Sequence, residues 1–123
     1  MNTFVWILQV VLALVFLATG ALKLVQPKEK LREQMRWVDG FSQDTIRGIG
    51  LAEVLGALGL VLPGWLDVLT WLTPLAASGL VLVMVGAIAT HLRLREWPMV
   101  AGNVVLAVLA LVVAWARFGS YPL

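Results

Sequence analysis

Residues 47–64 read RGIGLAEVLGALGLVLPG. The run is apolar enough to sit in lipid, yet it carries a glutamate, Glu53, near its middle. A carboxyl group at membrane depth is costly and persists where it is paired or protonated, facing the inside of a helix bundle. On a helical wheel Gly48, Ala52, Gly56 and Gly59 share one narrow arc. Leu51, Val54, Leu55 and Leu58 occupy the opposite arc, and Glu53 flanks the small residues. Small residues let neighbouring helices approach closely, so Glu53 is expected to face the bundle interior or a crevice in it. At ~1.5 Å per residue from Thr45 it lies ~12 Å deep, near the midplane of a core ~30 Å thick.

The rest of the chain supports a lipid solvent. Of 123 residues 61% are hydrophobic and 13% are charged, and the mean hydropathy is +0.94. Soluble domains sit near 45–50% apolar on a similar count, roughly. Four apolar runs cover about 3–25, 45–62, 71–92 and 98–116. Each approaches the roughly 20 residues that a helix needs to cross a bilayer. The second is the shortest, with Pro63 as its expected end, so tilting or local thinning is expected there. Backbone groups in lipid must be satisfied internally, which favours helices, and the alternation of a membrane barrel is absent. The first run lacks a basic leading segment and is followed by Lys23, Lys28 and Lys30, so it reads as a permanent helix rather than a cleaved signal. The expected fold is therefore all-α: a single membrane domain over residues 1–123, built as a four-helix transmembrane bundle.

Between the first two spans Leu31, Met35 and Val38 recur at helical spacing among charges. This predicts a short amphipathic helix over about 28–38, lying on the inner membrane surface. Gly40 is its expected end, and Ser42 or Asp44 the expected cap of the second span. The basic residues fall between spans one and two (Lys23, Lys28, Lys30, Arg32, Arg36, Arg47) and between spans three and four (Arg93, Arg95). The opposite side carries Arg117. By the positive-inside rule both basic loops are cytoplasmic and both termini outside. Trp6, Trp65, Trp71, Trp115 and Tyr121 near one set of span ends, and Trp37 and Trp97 near the other, match an aromatic belt. The basic balance thus reflects topology, and no nucleic-acid partner is implied.

Helical side chains lean toward the helix N-terminus. Spans one and three run inward, so Lys23 and His91 lean back into the membrane. Thr19, Lys23, Glu53, Thr90, His91 and Asn103 are expected to converge on the cytoplasmic half of the bundle. Lys23 is the first candidate partner of Glu53 and His91 the second. Such a cluster could exchange a proton or hold the polar head of a lipophilic ligand: a quinone carbonyl, a sterol hydroxyl or an amine. The competing reading is structural, with Glu53 bonded to Lys23 and Asn103 to fix helix register. Asn103, Ala107, Ala110 and Ala114 form a small-residue stripe on the fourth span, read with the glycine arc as packing surface.

Several chemistries are excluded. There is no cysteine, hence no disulfide, thiol redox chemistry or Cys-ligated metal, and the single histidine cannot provide bis-His haem ligation. No hydrolase triad, phosphate-binding glycine loop or zinc spacing is present. No catalytic or metal residue is assigned, and the balance leans against an enzyme.

ATGALKL at 18–24, the opening stretch, LTPLAASGLVLVMVGAIATHLRLRE at 72–96, and Asn103 followed by AWAR at 114–117 together resemble the DoxX-like family of small four-helix membrane proteins. The resemblance spans about Ala18 to Arg117. Its most specific parts are GxxExxGxxGLxLP, from Gly50, and AxxxHxxxxE, from Ala87. The family-like positions are Lys23, Arg47, Glu53, Pro63, Pro74, His91, Glu96, Asn103 and Arg117. The resemblance implies a bundle in the bacterial inner membrane. The wider group holds small subunits of quinone-linked oxidases and thiosulfate:quinone oxidoreductases, and distant relatives that act in membrane-protein assembly, such as the nicotinic-receptor chaperone. The leading expectation is a non-catalytic accessory subunit or binding module for a lipophilic ligand such as a quinone. The alternatives are an assembly factor that holds partner subunits or a second copy of itself, and, more weakly, proton or small-ion conduction by an oligomer.

Overall fold

The computed structural model describes residues 2–31, 40–119 and 121–123. Its elements are all helical: α1 (Asn2–Val25), α2 (Lys28–Leu31), α3 (Gln43–Leu66), α4 (Leu72–Arg93) and α5 (Trp97–Phe118). The four long helices are each long and apolar enough to cross a membrane. Short turns join α3 to α4 and α4 to α5, which makes each pair antiparallel neighbours. Packing runs in the order α1, α3, α4, α5, and a smaller contact between α5 and α1 closes the bundle.

The buried stripes explain the packing. On α1 they are Val5, Gln9, Leu12, Phe16, Gly20 and Lys23; on α3, Ile46, Gly50, Glu53, Ala57, Leu60 and Pro63. Both advance by steps of three or four residues, the spacing of a helix–helix seam. The outward faces carry large apolar side chains such as Leu14, Leu55, Leu82, Val105 and Leu111, all exposed. In water such a surface would aggregate; against lipid tails it is at home.

Where α1 crosses α3 the backbones come close at two glycines. A methyl on Gly20 would stand 2.7 Å from the Gly50 carbonyl oxygen, and one on Gly50 would stand 2.7 Å from that of Gly20. No side chain fits between them.

The second span differs from the expected 45–62. It runs Gln43–Leu66, 24 residues, as long as α1. Ser42 caps its start, with its Oγ accepting from the Thr45 N–H at 3.1 Å. Pro63 does not end it. A proline in a helix leaves the carbonyl four residues back without its N–H donor; here that carbonyl is Gly59, and the Thr73 hydroxyl of α4 donates to it at 2.8 Å. A neighbouring hydroxyl thus replaces the missing backbone donor, as bundles in lipid require. The helix stops three residues later, where Asp67 turns left-handed (φ 54°) and the Val68 N–H closes on the Pro63 carbonyl.

The amphipathic surface helix expected over about 28–38 is not supported beyond the single turn α2, and residues 32–39 lie outside the described residues.

Candidate functional site

Glu53 sits three residues along α3 from Gly50 at the glycine crossing, on the same buried stripe, and is 2% exposed. The close approach at Gly20 and Gly50 brings the last turn of α1 against it. Lys23 Nζ lies 2.5 Å from Glu53 Oε1, and the Thr19 hydroxyl donates to Glu53 Oε2 at 2.7 Å. Each carboxylate oxygen therefore accepts from α1, and the charge is matched by a lysine that is itself buried. Taking two ions out of water costs several kcal/mol each, roughly, and the loss is offset only by such close, hydrogen-bonded geometry.

His91, expected as the second partner of Glu53, is instead held by Glu96. Its Nδ1 lies 3.0 Å from Glu96 Oε1, and the Glu96 N–H donates to the His91 carbonyl at 3.0 Å. Arg95, with φ 56°, makes the left-handed turn that brings the chain back over the end of α4. The Thr90 hydroxyl bonds within α4, to the Gly86 carbonyl at 2.9 Å.

These residues nevertheless share one space. Thr19, Lys23, Glu53, Thr90, His91 and Asn103 all line a partly open cavity of about 520 Å³. All four long helices contribute to it, and Val15, Phe16, Val83, Met84, Ala87 and Leu106 give it mainly apolar walls. Asn103 Nδ2 is buried there and has no hydrogen-bond partner among the described residues. The site is thus an apolar chamber with a neutralised ion pair, a histidine–glutamate pair and one unspent amide donor.

The small residues fall into three environments. Gly48 and Ala52 are exposed, and a methyl on Gly48 would meet nothing. Gly56 packs under Leu80 and Gly59 against Ala76 of α4. Ala52, Gly56, Gly59, Ala76 and Gly79 lie along a second groove, of about 500 Å³, between α3 and α4. Ala110 and Ala114 are buried in the core of the bundle, and Ala107 is packed against it.

A polar cluster not anticipated from the sequence closes the other end of the bundle. Arg117, read as a topology residue, is 3% exposed. Its Nε donates to Gln9 Oε1 at 2.6 Å, and its Nη1 to Asn2 Oδ1 at 2.6 Å and to the Tyr121 carbonyl at 2.8 Å. Gln9 in turn donates from Nε2 to the Leu60 carbonyl at 2.5 Å, and the guanidinium carbon stands 5.6 Å from the Trp6 ring centre, within cation–π range. The available signal was position: Gln9 shares the stripe of Phe16, Gly20 and Lys23, and Arg117 ends the alanine stripe of α5.

Comparison with known proteins gives one finding of family. The model of the DoxX-like family matches residues 7–113, which takes in the whole lining of the Glu53 cavity and, of the Arg117 cluster, Gln9 and Leu60. No curated protein and no solved structure matches the chain.

Proposed function

The chain belongs to the DoxX-like family, and from that premise we propose that it is a non-catalytic binding module, an accessory subunit that holds a lipophilic ligand in the cavity beside Glu53. The observation that carries this reading is the shape of the site: about 520 Å³ of mostly apolar space, with polar side chains from all four long helices on its lining. Pockets of roughly 300–1,000 Å³ with apolar walls and a few placed polar groups are the usual form of small-molecule sites. A quinone fits this lining, because its ring and tail suit the apolar wall and its carbonyl oxygens suit a buried donor, which Asn103 provides. Lys23, Glu53 and Thr19 form the fixed floor, and Thr90 and His91 the wall on α4. The membrane proposed is the bacterial inner membrane, with the ends of α1 and α4 on the cytoplasmic side, where the lysines and arginines gather.

The test is the lipid extract of the purified protein. Gly86 lines the cavity, and a Cβ built there would meet no atom within 4 Å, so Gly86→Phe adds bulk at the cavity wall from a position where the backbone tolerates a side chain. Mass spectrometry of wild-type extracts should show a lipophilic species above bulk lipid that Gly86→Phe lacks. Identical extracts from the two would sink the binding reading.

A second reading, as an assembly or interaction partner, is favoured by the groove that Ala52, Gly56, Gly59, Ala76 and Gly79 line on α3 and α4. Small residues of this kind let a foreign helix approach closely. Gentle solubilisation at native expression, with recovery of a stoichiometric partner that Gly79→Leu releases, would support it; recovery of the chain alone would count against it.

A further inference from the structure

We infer that Asn103 is the residue that selects the ligand, and that the group it selects is an uncharged acceptor oxygen of the carbonyl type. The inference rests on the binding function proposed above and adds the chemistry of the ligand's head.

Most of the other buried polar groups on the lining are already engaged, and Arg93 is exposed at its edge. Both oxygens of Glu53 accept from Lys23 and Thr19. The Thr90 hydroxyl is spent on the Gly86 carbonyl, and His91 Nδ1 on Glu96. Asn103 Nδ2 is buried and without an acceptor among the described residues. A buried donor left unpaired is unfavourable, and most such atoms in folded proteins find a partner, whether protein, water or ligand. The apolar walls around it favour a ligand that brings an acceptor on a hydrocarbon body.

Charge narrows the class. Lys23 and Glu53 form one neutral pair and His91 and Glu96 another contact pair, while Arg93 is exposed at the edge of the cavity. A charged head of either sign would be desolvated in a mostly apolar space where Lys23 and Glu53 already neutralise each other. A neutral carbonyl avoids that cost and satisfies Nδ2. Such a carbonyl belongs either to a free ketone or quinone or to the acyl ester of a membrane lipid.

The experiment uses the full chain in nanodiscs and titrates 2-tridecanone, with tridecane and tridecylamine as matched probes, reading bound fraction by native mass spectrometry. Saturable ketone binding should weaken roughly tenfold in Asn103→Leu and in Asn103→Asp, as the loss of one buried hydrogen bond implies, and should persist in Asn103→Gln. Tridecane binding should be unchanged in all three variants, which shows that the cavity is intact. Repeating the titration in ether-lipid and ester-lipid discs names the source. A lower affinity in ester lipid, lost in Asn103→Leu, makes the lipid ester the natural occupant; equal affinity makes it a free ligand.

Equal ketone binding by wild type and Asn103→Leu overturns the inference while the cavity remains a binding site. So does preference for the amine, or ketone binding that Asp strengthens. If none of the probes binds saturably and Gly86→Phe changes nothing, the binding function itself falls and the inference with it.

Discussion

Lys23 and Glu53 form a closed pair across two helices: Nζ and Oε1 are 2.5 Å apart, and both residues are buried. Removing one member strands the other charge at membrane depth. Breaking a buried pair in this way costs about 3–5 kcal/mol, whereas replacing both members with apolar groups of similar size is often neutral. Lys23→Met and Glu53→Gln should each lower the unfolding midpoint in detergent strongly, and Lys23→Met/Glu53→Leu should recover most of the loss. Single losses that simply add in the double variant would show that the two side chains do not act as a unit.

The glycine crossing should be as sensitive to size as the ion pair is to charge. Gly20→Ala and Gly50→Ala each place a methyl 2.7 Å from a carbonyl oxygen of the facing helix, and overpacking of this sort costs about 1–3 kcal/mol. Gly48→Ala, with open space around it, should change stability by no more than about 0.5 kcal/mol. Thermal melts of the three variants in one detergent would decide, and equal melting temperatures for all three would refute the close approach.

Pro63 and Thr73 make a conditional pair. Thr73→Val should leave the Gly59 carbonyl without the donor that Pro63 cannot supply, at a cost of about 0.6–2 kcal/mol for a hydrogen bond between membrane helices. In a Pro63→Ala background the residue-63 N–H can take that carbonyl, and Thr73→Val should then be close to neutral. A cost that is the same in both backgrounds would place the effect of Thr73 in packing instead.

These relationships differ in how far the sequence reveals them. Glu53 falls on the step of three and four residues that runs from Ile46 to Pro63, and this spacing alone turns it inward, toward the helix that carries Lys23 in its last turn. The small-residue arc of Gly48, Ala52, Gly56 and Gly59 packs on α4 only through Gly56 and Gly59, and Gly50, the residue that meets α1, lies outside it. Pro63 reads as a helix end because the local rule for proline contains no neighbour; Thr73, ten residues on and in another helix, supplies the missing bond. His91 reads as a partner for Glu53 because the turn at Arg95, which brings Glu96 back to it, has no glycine to announce it. Arg117 reads as a surface residue because its partners Asn2 and Gln9 lie 115 and 108 positions away.

The membrane orientation is testable because the chain has no cysteine of its own. Glu29 and Val68 are exposed at opposite ends of the bundle, after α1 and after α3. With the basic loops cytoplasmic, Val68→Cys should react with an impermeant maleimide in intact spheroplasts, and Glu29→Cys only after lysis. The reverse pattern would invert the proposed topology.

Arg117 ties the start of α1, the end of α5 and the final residues into one cluster. Its planar fork serves Gln9, Asn2 and the Tyr121 carbonyl at once, a geometry that a lysine ammonium on a flexible stem does not reproduce. Arg117→Met leaves Gln9 Oε1 and Asn2 Oδ1 without this donor, and stranded buried acceptors cost about 1–3 kcal/mol each. Stability should therefore fall in the order wild type, Arg117→Lys, Arg117→Met. The Tyr121 amide, bonded to the Ala116 carbonyl at 2.8 Å, should exchange with solvent faster in both variants, while amides around Glu53, at the far end of the bundle, keep their protection. Uniform loss of protection along α1 and α5 would mean that the cluster holds the whole bundle together rather than one end. Unchanged exchange at Tyr121 would mean that it holds neither.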